Sequence, residues 1–224
     1  MSNDINSAGC GIFGGGKYDN VRMSGSGQID GDIECASFSS SGSMRCNGNL
    51  RCLGIVKGAG SSTVTKDIIC DDTVSFAGSV TVGGSIKCRE LSSAGSIIVK
   101  GDGIEAETAK IAGGATISGL LNAESVTIHH QGGVTIDSIG GSEITILSKS
   151  ENHGFFTKAK KSDKKLVVKE SIEGVTITLE GVKAKSVVGR IVKVDENCEI
   201  GTIRYTESVE IADGAKVGSA EMSS

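Results

Sequence analysis

Proline and tryptophan are absent from this 224-residue chain, and five Phe and two Tyr are its only other aromatic rings apart from histidine. With no proline, and with 33 glycines that follow no three-residue period, a collagen-like chain is excluded. No apolar run approaches the ~20 residues that cross a bilayer as a helix. The opening Met-Ser-Asn-Asp-Ile-Asn has no basic stretch leading into an apolar one, so no secretory leader is expected. Neither charge sign dominates: 23 Lys plus Arg against 27 Asp plus Glu leave −4, which gives no global reason to bind nucleic acid. A disulfide framework is not expected either. The cysteines are Cys10, Cys35, Cys46, Cys52, Cys70, Cys88 and Cys198, an odd number that reads as free thiols of a reducing cytoplasm.

What is present is a repeat. Cys35, Cys52, Cys70, Cys88, Ala106 and Ala123 form a column with spacings of 17, 18, 18, 18 and 17. Each is followed by a second apolar residue, at Phe38, Ile55, Val74, Leu91, Ala109 and Val126, and then by a small-residue corner such as Ser-Ala-Gly95-Ser. An apolar residue returns at Met44, Val80 and Ile97. Within each row the apolar residues stand two apart, as in Val80/Val82, Ile97/Val99 and Val126/Ile128, which is the period of a strand with one buried face. Gly and Ser punctuate these bursts, where tight corners need them. Three bursts fill each row. The expected fold is all-β: a parallel β-helix, or β-solenoid, with three short strands per 17–18-residue coil and coils ~4.8 Å apart. Gly103 to Ala112, the best helix candidate, falls in register with the repeat and reads as another coil.

The alternation sets the expected organisation. Residues 1–20 read as a flexible tail, 21–147 as the main solenoid, 148–165 as a polar excursion, 166–218 as a second solenoid segment and 219–224 as a tail. Whether the two segments stack into one rod is left open by the sequence. The excursion is the sharpest charge asymmetry: between Lys149 and Lys169 seven lysines face Glu151 and Asp163, so the remainder of the chain sums to −9. It also carries Phe155-Phe156.

A three-strand coil of about 17 residues with Gly-Ser corners resembles the bactofilins, the polymer-forming cytoskeletal proteins of bacteria. Gly25-Ser-Gly-Gln-Ile-Asp-Gly-Asp-Ile33 is similar to that family's small-x-Gly-x-Ile-x-Gly-x-Ile row, and Val192 to Ile211 is similar to the closing coils of Gram-positive members. The chain departs from the family in having no proline-rich tail and in its lysine-rich interruption. The resemblance implies a right-handed helix and assembly into filaments without nucleotide. It also implies scaffolding of envelope or cell-shape enzymes at the inner face of the cell membrane, with the protein itself cytoplasmic.

Elementary chemistry points to assembly independently. A solenoid end presents unpaired strand edges and a slice of apolar core. No amphipathic helix that would cap them is evident in the sequence. The expected polymerisation surfaces are therefore a first coil around Val21, Met23, Ile29 and Ile33 and a last coil around Tyr205, Val209, Ile211 and Val217. The expected partner is a second copy or a paralogue, joined end to end as in strand addition. Ile12 and Phe13, together with Lys158, Lys160, Lys161, Lys164 and Lys165, are candidate contacts for a membrane surface or a partner protein.

No constellation points to catalysis, a cofactor, a metal or a small-molecule substrate. The cysteine column lacks the C-x2–4-C pairs of structural zinc and shares its positions with alanine, so it reads as core packing. Gly11-Ile-Phe-Gly-Gly-Gly-Lys17-Tyr18 approaches a phosphate-binding loop, but Tyr18 stands where Ser or Thr would hold magnesium. His129 and His130 are adjacent and so point to opposite faces of a strand; at least one is expected at the surface. Asp30/Asp32 and Asp71-Asp72 are expected to stabilise turns. The alternative function is a left-handed hexapeptide-repeat acyltransferase. That family keeps a strict six-residue beat and a catalytic histidine, whereas the apolar positions here wander through 80, 86, 91, 97 and 104.

Overall fold

The computed structural model describes residues 3–148 and 164–223. Among them there is no helix, and 13 strands form one parallel sheet wound into a β-solenoid of about 10 turns. The strands are β1 (Ile5–Cys46), β2 (Leu50–Cys52), β3 (Val56–Val64), β4 (Ile68–Cys70), β5 (Thr73–Val82), β6 (Ile86–Lys87), β7 (Glu90–Val99), β8 (Gly103–His130), β9 (Val134–Ser148), β10 (Leu166–Leu179), β11 (Val182–Val194), β12 (Glu199–Ile211) and β13 (Lys216–Met222). The longer ones turn one or more corners of a three-sided coil without losing their ladder bonds.

Registers define the three sides. On the first side Ile33, Leu50, Ile68, Ile86 and Ile104 stack one above another. On the second, Phe38, Val56, Val74, Leu91 and Ala109 do so. On the third an unbroken column runs Cys46, Val64, Val82, Val99, Ile117, Ile136, Val168, Ala184, Ile200, Val217. Most of these side chains are fully buried, and each buried aliphatic contributes about 1.5–3 kcal/mol relative to exposure. The interior is thus a bundle of aliphatic ladders, which is why the chain has so little use for large rings.

The expected cysteine column is present: Cys35, Cys52 and Cys70 are in register and buried. One position in the neighbouring column is corrected. Val56 fills it, not Ile55, because the corner after Cys52 holds three residues where the one after Cys35 holds two, which turns Ile55 outward. The corner between the second and third sides is a ladder of glycines. Gly25, Gly42, Gly60, Gly78, Gly95 and Gly113 all have φ between +103° and +131°. A Cβ at each would overlap the carbonyl oxygen of the glycine one coil earlier, so the corner admits no side chain.

The two solenoid segments form one continuous rod. β10 continues the ladder of β9, with Val168 on Ile136, Ile177 on Ile144 and Leu179 on Ile146. The chain leaves at Ser148 and returns at Lys164, at the corner between the second and third sides. Residues 149–163, with Phe155, Phe156 and His153, lie outside the described residues.

Candidate functional site

The two end coils are the candidate surfaces, and the structure moves the first of them. Residues 1–20 are not a tail: from Ile5 onward they belong to β1. The Asp19 amide donates to the Asn3 carbonyl (2.9 Å), the Asn20 amide to the Asp4 carboxylate (2.9 Å), and the Tyr18 hydroxyl to the Gly14 carbonyl (2.9 Å). The 16-residue offset that sets Asn3 over Asp19 and Gly9 over Gly25 sets Ile5 over Val21. As a result Val21, Met23, Ile29 and Ile33 are buried at 5% exposure or less beneath an additional coil and cannot form the end surface. The outermost coil is the one that carries Ile5, Phe13 and Tyr18; Ile5 is itself buried at 4% exposure, so the end surface is offered by Phe13 and Tyr18. Phe13 and Tyr18 are half-buried against the core, and Ile12 points outward at 73% exposure. The Gly11–Tyr18 stretch is therefore strand and corner of this coil, with no helix behind it.

At the other end Val209, Ile211 and Val217 lie in the outermost coil, whereas Tyr205 lies one rung below it, covered by Met222 as the strand extends further. β13 runs through Met222, so 219–222 is ordered backbone and not a tail. It stacks on β12, with Val217 on Ile200 and Met222 on Tyr205, while Val209 and Ile211 continue the second side from Val192 and Val194. Ile211 is 42% exposed, against full burial for its equivalents Val194 and Leu179 inside the rod, and Met222 is 65% exposed above half-buried Tyr205. Among the described residues, no strand pairs with the outer edge of either end coil.

The corner that carries the excursion is a second candidate. Lys158, Lys160 and Lys161 lie outside the described residues. Lys164 sits at the returning strand, and Lys165 is committed to the rod: its Nζ lies 2.7 Å from Glu199, only 24% of its side chain is exposed, and it holds the Glu199 carboxyl below its usual range. Beside them His130 is fully buried, whereas His129 is half-exposed. The His130 ring lies 3.2 Å from the Glu180 carbonyl through Nε2 and 3.3 Å from the Gly132 amide through Nδ1. A carbonyl needs a donor and an amide needs an acceptor, which assigns the neutral ring with its proton on Nε2. Burial pushes its pKa down from the ordinary 6.5.

The remaining polar groups serve the corners. Asp32, Asn49, Asp67 and Ser85 each accept a hydrogen bond from the backbone amide of the next coil, at Asn49, Asp67, Ser85 and Asp102, over 2.8 to 3.2 Å. This ladder of side-chain acceptors was not anticipated, although its 17- or 18-residue spacing is visible in the sequence. Asp30 is held low by Asn47 and Gln28, Asp32 by Asn49, and Asp72 by Arg89, as expected of turn carboxylates. Buried thiols donate to corner carbonyls, as Cys52 does to Ala36 and Ile55. Burial pushes Cys88 up to about 12 and Cys46 to about 11, so neither is a ready thiolate. Chemically, the described surface offers strand edges and apolar columns rather than a reactive cluster. No helix among the described residues is long and apolar enough to cross a membrane.

Comparison with models of known families, with characterised proteins and with solved structures finds no match to this chain.

Proposed function

We propose that the protein is a non-enzymatic, self-assembling scaffold that polymerises end to end through its terminal coils without nucleotide. The observation that carries this reading is the pair of end coils, whose edges pair with nothing among the described residues while their apolar columns run out to half-exposed Val209 and Val217 and exposed Ile211 and Met222. Each open edge leaves a row of backbone donors and acceptors that another strand can satisfy, and each exposed column gains by being covered. The resemblance to bactofilins supports the same reading and extends it to a cytoplasmic location, peripheral at the inner membrane surface, with a paralogue or envelope protein as further partner.

The test is electron microscopy and sedimentation of the purified protein without nucleotide. Rods or filaments are expected. Val209→Glu places a charge in the core-facing column of the last coil and should abolish them, while circular dichroism still reports a folded β protein. Persistence of unchanged filaments in this variant would remove the last coil from the assembly surface.

A further inference from the structure

The two end surfaces match each other in one orientation. On the second side the core-facing column ends Val192, Val209 and begins at Ile5. On the third it ends Ile200, Val217 and begins at Phe13, one coil above Ile29. On the first it ends Tyr205, Met222 and begins at Tyr18, which sits above Cys35 as Lys17 sits above Glu34. If a second copy follows the last coil in the same direction, Val209 comes into register with Ile5, whose side chain is already buried in its own copy, while Val217 meets Phe13 and Met222 meets Tyr18. All three apolar columns then continue without a break, and the ladder stays parallel.

Charge agrees. The outward position beside the first-side column is Glu221 in the last coil, stacked on Arg204, and Lys17 in the first, stacked on Glu34. Cross-coil ion pairs of this kind recur along the rod, at Lys17–Glu34, Lys87–Glu105, Arg190–Glu207 and Lys183–Glu199. Same-direction stacking places Glu221 against Lys17 and adds one more. Joining two last coils would instead bring together two copies of a surface bearing Glu207, Glu210, Asp213 and Glu221 against Lys216. Such like-charge juxtaposition opposes association.

Resting on the reading that the protein assembles at all, we infer that its polymer is polar: the last coil of one copy docks on the first coil of the next, with Glu221 beside Lys17. In-register neighbours across a parallel ladder lie about 4.8 Å apart, inside the Cα separation a disulfide accepts. In a Cys10→Ser background, Lys17→Cys and Glu221→Cys are made singly and together, checked for fold by circular dichroism, oxidised with copper phenanthroline and run on a non-reducing gel. The two positions are separated within one copy by about eleven strand spacings, roughly 50 Å, so no internal bond forms.

A ladder of oligomers from the double variant, with both singles monomeric, is expected. Dimers from Lys17→Cys alone, or from Glu221→Cys alone, would overturn the polarity and leave assembly standing. So would sedimenting polymers that no pair cross-links. A wild-type protein that sediments only as a monomer would remove assembly itself.

Discussion

Glycine at the corner between the second and third sides is required twice over, by a left-handed backbone and by the carbonyl one coil earlier. Gly78→Ala meets both conditions in the middle of the ladder. The strained φ alone costs about 1–3 kcal/mol, and the overlap with Gly60 adds to it. A clearly lower urea midpoint is expected by circular dichroism; an unchanged midpoint would mean that the corner can relax. His130 makes a residue-scale prediction with a defined sign. Its folded pKa lies below the ordinary 6.5 because burial disfavours the charged ring, so below 6.5 the unfolded chain takes up a proton that the folded chain refuses. This contribution to stability is complete above 6.5 and is lost as pH falls toward the folded value. The charged group acting on the ring belongs to Glu180, while the Lys164 side-chain carbons lie over neighbouring Gly132. Between pH 7.5 and 5.5 the thermal midpoint of wild type should fall more than that of His130→Gln, whose amide does not titrate. The perturbed carboxylates contribute only at more acidic pH.

At the scale of elements, the corner that carries the excursion is no longer than its neighbour requires. Between Ile128 and Val134 five residues turn the corner, and Ile128 is in register with Ile146. Between Ile146 and Leu166 the described residues are Leu147, Ser148, Lys164 and Lys165, with the Lys164 side chain over Gly132. Replacing 149–163 by a single glycine therefore reproduces the five-residue corner above. The variant should fold with a thermal midpoint within a few degrees of wild type, and a collapse of the β signal would show that the excursion holds the rod together. The same scale shows what was legible. Coil length, strand class and the cysteine column could be read directly, because period two and an 18-residue repeat are both imposed by burial. The first coil could not: Gly9, Gly11, Gly14, Gly15 and Gly16 leave it almost without apolar side chains, and what identifies it is backbone pairing with the coil below. That error displaced the expected first assembly surface by one coil, from the coil of Val21 to that of Phe13 and Tyr18. Ile55 failed for a smaller reason, since one extra corner residue shifts a strand's inward parity.

For the molecule as a whole, contacts run between coils adjacent in the stack: β9 touches β8 and β10, β11 touches β10 and β12. Stability in such an array is close to a sum of coil terms and nearest-neighbour terms. Nothing in that sum depends on how many coils there are, and the third-side column has the same chemistry at Val64 as at Ile200. Length is therefore the least constrained property of this molecule. A duplicated segment of 17 or 18 residues, cut at equivalent corners, would slot in as one more storey without disturbing any contact above or below. A family of rods graded in height can arise from a single ancestral sequence by that step alone.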